Sequence, residues 1–248
     1  MQVSDKAKVL DLIKNGVFYD ENSLEDLSEE LRADKEIIMA WVEHMSDEDD
    51  FSYRQFEYVS SDLAADNEIV LPLVSKHGRA LEWASESLKK SKDVAMAAVR
   101  NNSDALEDVY WEIRGDREIV LTACRSERGI YLLLFVSDDA ELMGDREIVL
   151  AAVLKNGTDL QYASEDLKGD REIVLTAVES SGHALSSAAE NLKSDIEIVM
   201  KALNTTKNLG DAPRDILEYV SDEVKADPKI QAFLESLGPE EEGYSSLF

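Results

Sequence analysis

The chain offers few side chains suited to covalent catalysis or metal binding. Its single cysteine, Cys124, is the only thiol that could serve as a nucleophile. Similar segments elsewhere in the chain carry valine at the corresponding position, which predicts that Cys124 packs in a core. The histidines His44, His77 and His183 are far apart and lack the i,i+4 spacing of a helical metal pair. These residues predict neither catalytic chemistry, nor a cofactor, nor a metal site.

An acidic run at Asp47–Asp50 raises the question of a calcium-binding loop. An EF-hand loop beginning at Asp47 would need an oxygen ligand at position 51, glycine at 52 and glutamate at 58. The chain instead has Phe51, Ser52 and Tyr58. The run is therefore interpreted as a solvated loop between helices, with weak nonspecific cation binding as the alternative.

Charge and cysteine content limit the classes of partner and compartment. The 248 residues include 53 acidic and 26 basic side chains, a formal net charge of −27. Charge of this sign repels nucleic-acid phosphates and anionic lipid, so direct nucleic-acid binding and membrane insertion are disfavoured. The sequence has neither a signal-peptide pattern at its start nor an apolar run long enough to span a membrane. With one cysteine and no internal disulfide, a cytoplasmic, reducing environment is expected.

An internal repeat dominates the sequence. The phrase Asp-Arg-Glu-Ile-Val-Leu begins at Asp116, Asp145 and Asp170, and recognisable variants occur along the chain. The basic unit is 25 residues, with insertions of four or seven. The repeat starts are Asp5, Asp34, Asp66, Ser91, Asp116, Asp145, Asp170, Asp195 and Asp227.

Each unit predicts two helices. Asp170 is placed to cap a first helix, whose apolar stripe is too broad for a helix with one wet face. A second helix carries apolar residues at offsets 0, 3 and 7, as in Leu160, Ala163 and Leu167. The predicted fold is all-α: an α-solenoid of about eight tandem helical hairpins with a C-terminal capping helix. It forms one domain over residues 1–238, followed by an acidic tail at 239–248.

The segment 145–168 carries a family resemblance. It reads Asp-Arg-Glu-Ile-Val-Leu, an Asn-Gly turn, then Leu-Gln-Tyr-Ala-Ser-Glu-Asp-Leu-Lys. This pattern resembles the repeat of the domain-of-unknown-function family numbered 4116, and the resemblance covers most of the chain. It implies tandem helical repeats, and it implies no assigned activity or catalytic residues.

Acidic residues recur at offsets 5 and 6 of the second helix, where stacking would align them as a row. A basic residue follows at offset 8, three residues after the first acid. The row is therefore interpreted either as a solvated, self-paired face or as a docking surface for a partner with a basic surface. Its candidate binding residues are Asp62, Glu86, Glu165, Asp166, Asp222 and Glu223.

Aromatic residues and two insertions supply further candidate contacts. Aromatic side chains at offset 2 would stack along one edge, sealing the seam between hairpins or binding a partner. The end of the tail is interpreted either as a mobile segment or as a peptide motif that docks on another protein. Two insertions, at 46–54 and 205–214, are predicted to be loops that frame a binding site. The aromatic candidates are Tyr58, Trp83, Tyr162 and Tyr219, and the tail candidates are Tyr244 and Phe248.

These features predict a non-catalytic scaffold or adaptor that binds one or more proteins. The alternative is an acidic mimic of nucleic acid that occupies the basic cleft of a DNA- or RNA-binding protein. A second alternative is an enzyme built on helical repeats. By analogy with other such enzymes it would use a basic concave groove with a buried carboxylate, and the sequence pattern indicates neither.

Overall fold

The chain is all-α in the regions that the structure describes. In this computed structural model those regions contain helices and turns and no β-strand, which confirms the predicted fold class. The chain separates into two compact units, Met1–Val136 and Ser137–Phe248, which are built from the same repeat. The described residues are 4–16, 18, 23–46, 52–129, 133–136 and 138–238.

Nine helices of eight residues or more occur in the described chain, and each begins directly after a predicted repeat start. All nine predicted starts are N-cap residues, and at the eight aspartates the side chain accepts a hydrogen bond from one or two of the first free N–H groups of the helix. The helices are α1 Lys6–Lys14, α2 Lys35–His44, α3 Asn67–Lys76, α4 Lys92–Asn101, α5 Arg117–Cys124, α6 Arg146–Lys155, α7 Arg171–Ser180, α8 Ile196–Leu209 and α9 Pro228–Ser236.

Successive long helices pack side by side within each unit. In the second unit α7 contacts both α6 and α8. The apolar stripe of α7 is fully buried between them, at Ile173, Val174, Ala177 and Val178. Because a helix of ten residues is marginal alone in water, its stability comes from this burial between neighbours.

The predicted second helix is wrong as a single α-helix. Residues Gly157–Tyr162 form a 3-10 helix, the chain is extended at Ala163 and Ser164, and one turn of α-helix follows at Glu165–Lys168. The offsets 0, 3 and 7 therefore belong to three local structures, although Leu160 and Ala163 are buried as predicted. Each regular unit is a long α-helix, a 3-10 helix and a one-turn α-helix.

Hydrogen bonds to the preceding copy of the repeat explain why the predicted second helix is interrupted at Ala163 and Ser164. The chain is extended at Ser164, and the Ser164 N–H donates to Met143 O of the preceding copy of the repeat at 2.9 Å. The Ser164 hydroxyl accepts from Leu167 N and so caps the one-turn helix. A continuous helix would use the Ser164 N–H internally. Corresponding backbone bonds run from Ser60 to Arg32, Ser85 to Ala64, Tyr110 to Lys89 and Ala189 to Lys168.

Ion pairs clip consecutive long helices together at their N-terminal ends. Arg146, the first residue of α6, pairs with Asp170, the N-cap of α7, at 3.2 Å, and with Glu172. The second position of the Asp-Arg-Glu phrase thus reaches the first and third positions of the next copy. Because solvent screens such exposed ion pairs, these pairs add little stability and mainly align neighbouring helices. Other clips start from Lys6, Lys35, Lys92 and Arg171.

The capping aspartates should make stability sensitive to acid. Burial of the Asp195 carboxylate raises its pKa, but hydrogen bonds from Ile198 N and Arg171 outweigh burial and leave the pKa below its usual value; Asp170 behaves alike. A carboxylate with a lowered folded-state pKa stabilises the fold above the unfolded value of about 3.9 and loses that contribution as pH falls through the folded value. We expect urea unfolding to show stability falling below about pH 4.

An Asp170→Asn/Asp195→Asn variant is the matched control for this prediction. Asparagine also caps helices but does not titrate in this range. The variant should lose less stability than the unsubstituted protein between neutral pH and pH 3. Parallel stability curves for the two proteins would show that these caps do not cause the acid sensitivity.

Candidate functional site

The acidic row is exposed, and its first-position acids pair with the lysines that follow them. The Glu165 carboxylate lies 2.9 Å from Lys168 Nζ, and the Asp222 carboxylate lies 3.0 Å from Lys225 Nζ. Glu86 lies 3.8 Å from Lys89. The side chains of Glu165 and Asp222 are 88% and 97% exposed, so these are surface pairs with partly neutralised charge.

The one-turn helices give the acidic row a local structural role. Glu165 and Asp166 are the first two residues of the helix that Ser164 caps, where the positive end of a helix favours anions. Asp222 and Glu223 stand in the same relation to Ser221. Asp62 lies instead at the cap of a three-residue 3-10 helix. The acids are thus presented to solvent at regular positions and are also used locally.

The four offset-2 aromatic side chains are half-buried. In the first unit Trp83 packs against Tyr53, with ring centroids 5.6 Å apart. In the second unit Tyr219 packs edge-on against His183, 6.4 Å away. Asp108 and Ser187 occupy offset 2 in intervening units. Tyr58 and Tyr162 complete the set as separate half-buried residues.

Two predicted contacts, Tyr244 and Phe248, lie outside the described residues, as does the tail 239–248. Of the first insertion, Ser46 and residues 52–54 are described, and the acidic run 47–50 is outside as well. The predicted loop is wrong for residues 52–54, which belong to the 3-10 helix Ser52–Tyr58.

The second insertion is not a loop along its whole length. α8 continues through the first half of it to Leu209 and ends at Gly210, whose φ of 87° suits glycine. Thr206 is fully buried and donates its hydroxyl proton to Ala202 O at 2.9 Å, which holds the added turn in the helix. A new 3-10 helix begins at Pro213. The prediction of a loop at 205–214 therefore holds only near 210–212.

The added turn of α8 lines a polar hollow in the second unit. The hollow has a volume of about 420 Å³ and lies between α7 and α8. Leu209, at the end of the added turn, is 60% exposed beside it. Its lining residues are Glu179, Lys201, Asn204, Thr205, Asn208 and Leu209.

The first insertion lines a larger hollow in the first unit. Tyr53 and Arg54 contribute to a cavity of about 500 Å³ at the edge where α3 and α4 end. A second cavity of about 470 Å³ shares Asn101 and Arg128 with it. We call the two together the basic groove; its cationic lining residues are Arg54, Lys76, Arg79, Arg100, Arg125 and Arg128.

The basic groove was missed from the sequence. Among the described residues that line it, Glu127 is the one carboxylate against six cations, whereas the whole chain has about two acids for each base. Its cations come from four successive copies of the repeat, so no short sequence motif contains them. Comparing the residues at each helix C-terminus between units would have revealed them, since lysine and arginine gather at 76, 79, 100, 125 and 128.

Asp108 is a half-buried carboxylate in the first unit with a raised pKa. Burial raises its pKa to about 6, against the opposing effects of Lys89 and Arg79. Its side chain does not line the basic groove. The Asp108 carboxylate is thus near Arg79 of the groove without itself being among the lining residues.

Cys124 and His77, two further candidates for chemistry, are buried in the packed interior. Cys124 is buried in α5, which confirms the packing prediction. His77 is also buried and stacks on Tyr53 at 5.8 Å. In the part of the chain that the structure describes, no three His, Cys, Asp or Glu side chains are grouped to hold a metal ion. No helix there has the length and apolarity needed to cross a membrane.

The repeats identify the family. Four overlapping segments of the chain match the family described as Domain of unknown function (DUF4116), and they cover more than half of the chain: residues 50–89, 66–114, 145–193 and 170–225. The chain belongs to this family, as the resemblance at 145–168 predicted. No curated protein matches the chain, and no solved structure matches it.

Proposed function

We propose that the protein is a non-catalytic interaction scaffold or adaptor that binds other proteins in the cytoplasm. The observation that carries the proposal is that both long insertions in the repeat line concave surfaces, one in each unit. The repeat is otherwise explained by capping and packing, so departures from it are the better guide to function. Exposed cavities that are lined by insertions in the repeat are suited to binding a partner protein.

The acidic row adds a second contact surface to this proposal. Its carboxylates are among the most exposed charges of the described chain and recur once per regular unit. A partner with a basic surface would bind them by displacing the weak pairs with lysine, which contribute no more than about 1 kcal/mol each. The same pairs make the row a poor copy of a phosphate backbone, because a cation alternates with each leading acid. The scaffold is therefore preferred over a mimic of nucleic acid.

Neutralising the acidic row should remove part of the partner set. We expect a Glu86→Gln/Glu165→Gln/Asp166→Asn/Asp222→Asn variant to lose, in affinity capture from native lysate, the proteins that high salt removes from the unsubstituted bait. These contacts depend on charges that salt screens within about 8 Å at physiological ionic strength. Quantitative mass spectrometry of the captured proteins gives the comparison.

The matched control is Lys168→Gln/Lys193→Gln, which breaks two of the surface pairs but leaves the acids in place. It should retain the salt-sensitive proteins. If neither salt nor the acid substitutions changes the captured set, the row is a solvated face. If the unsubstituted chain enriches no protein over an unrelated acidic repeat protein, the scaffold proposal fails.

A further inference from the structure

The basic groove has more positive charge than its helix ends require. Lysine and arginine near a helix C-terminus interact favourably with the helix dipole, which accounts for some of them. The second unit has the same helix ends with less of that charge: Lys155 stands where the first unit has Lys76, but the arginine positions differ. Thr158 and His183 stand where the first unit has Arg79, and Leu154 and Glu179 stand where it has Arg100 and Arg125. The repeat folds without these arginines, so the fold alone does not explain them.

Hydrogen bonds between successive copies of the repeat, all within the first compact unit, hold the walls of the groove in place. The Asn101 amide accepts from Gly78 N at 2.8 Å and donates to Lys76 O at 2.8 Å, which ties the end of α4 to the end of α3. Arg128 O accepts from Ser103 N at 3.0 Å and from the Ser103 hydroxyl at 3.1 Å. Because the backbone is fixed before a ligand arrives, less ordering entropy opposes binding.

The side chains of two arginines complete the site. Arg79 and Arg100 are exposed on the groove, and no hydrogen bond or ion pair to another described residue holds either guanidinium, although the charge of Arg79 also acts on the nearby Asp108 carboxylate. A guanidinium presents a planar fork of donors that matches a carboxylate with two parallel hydrogen bonds. Several forks along one open groove suit a ligand with several carboxylates.

The charge of the whole chain selects among anionic ligands. A long polyanion such as nucleic acid would extend beyond the groove onto a protein of net charge −27 and be repelled there. A short acidic segment can keep its charges within the groove. We propose that the basic groove binds an acidic peptide segment of a protein partner, one rich in aspartate and glutamate. This inference rests on the proposed scaffold function and names the chemistry of one partner.

Binding of a synthetic peptide tests the inference without a natural partner. The probe is a fluorescein-labelled hexaglutamate peptide, titrated with the full chain at physiological salt and followed by anisotropy. An Arg79→Gln/Arg100→Gln variant should bind it at least about tenfold more weakly, since hydrogen bonds to charged groups contribute more than neutral ones. The Lys168→Gln/Lys193→Gln variant loses the same charge outside the groove and should stay within about twofold. Circular dichroism checks that all three proteins are folded.

Four results would overturn the inference: no binding by the unsubstituted chain, equal loss in both variants, displacement by equimolar inorganic phosphate, or equally tight groove-dependent binding of a six-nucleotide single strand. The third would indicate a small-anion site and the fourth a nucleic-acid site. These failures are distinct from failure of the scaffold. Proteins captured equally by the unsubstituted chain and by Arg79→Gln/Arg100→Gln would leave the scaffold intact and remove the groove as its docking site.

Discussion

Replacing Gly157 by alanine should destabilise the second unit by about 3 kcal/mol, the upper end of the usual cost of inserting atoms into a packed interior. Gly157 is buried where its 3-10 helix crosses α7. An added Cβ would lie 2.9 Å from Ser181 N and closer still to Ala177 O. Both obstacles are backbone atoms, one in α7 and one at its C-cap, so no flexible side chain can move aside. Urea unfolding followed by circular dichroism measures the loss.

Gly144→Ala is the matched control in the same unit. Gly144 has a φ of −92°, which alanine adopts readily, and its added Cβ would make an ordinary contact 3.4 Å from Ala140 O. This substitution should leave stability within about 0.5 kcal/mol or raise it, because alanine restricts the unfolded chain. Equal losses for the two variants would show that the close approach at Gly157 is not what requires glycine.

The long helices could be predicted from the sequence because their signals are local. An aspartate or serine that caps the helix, a glutamate in the first turn and an apolar stripe all lie within ten residues of one another. Tertiary structure does not override them, since within each compact unit the successive long helices pack side by side. Even Ser91, whose side chain makes no capping hydrogen bond, marks a helix start correctly.

The second helix of each repeat was mispredicted because apolar residues at offsets 0, 3 and 7 do not distinguish one helix from two short ones. A 3-10 helix, an extended pair and one turn of α-helix also bring Leu160 and Ala163 to the core. The sequence did contain a corrective signal. Ser164 followed by Glu165 and Asp166 is an N-terminal helix signature, and it recurs at Ser28, Ser85 and Ser221.

The candidate surfaces divide in the same way. Exposure of the acidic row follows from its position beside a capped turn, so it could be predicted. The basic groove could not be predicted from any one copy of the repeat. Its residues Arg54, Arg79, Arg100 and Arg128 come from different copies and meet only when successive copies pack together in the first compact unit. Likewise, the Asp-Arg-Glu phrase indicates a helix start but does not show that Arg146 reaches Asp170 of the next copy.

The first unit therefore shows how a repeat can acquire a site without losing its fold. The residues that cap helices or fill the core are the ones that recur. The side chains of Arg79, Arg100 and Arg125, at or just beyond the ends of α3, α4 and α5, face solvent, so these positions can change at little cost to stability. There the first unit has arginines where the second has Thr158, Leu154 and Glu179. Specific binding is expected at such positions.

Trp41→Ala should destabilise the first unit by about 3–5 kcal/mol, the largest loss expected from any single truncation in this unit. Trp41 is fully buried in α2 and heads the fully buried side chains in volume. Its ring is nearly parallel to that of Phe56, with centroids 6.4 Å apart. Removing it leaves a cavity that α2 and its neighbours can close only in part. Urea unfolding measures the loss, and hydrogen exchange should show it greatest in α2 and in the 3-10 helix Ser52–Tyr58.

Trp111→Ala provides the comparison within the same unit and for the same residue type. Trp111 is 69% exposed at the start of a one-turn helix and touches the Tyr110 ring at its edge of the fold. Its truncation should cost about 0.5 kcal/mol or less. A larger loss from Trp111 than from Trp41 would place the core of this unit elsewhere. It would also undermine the basic groove, since Tyr53 and Arg54 are positioned by the same 3-10 helix that packs Phe56 against Trp41.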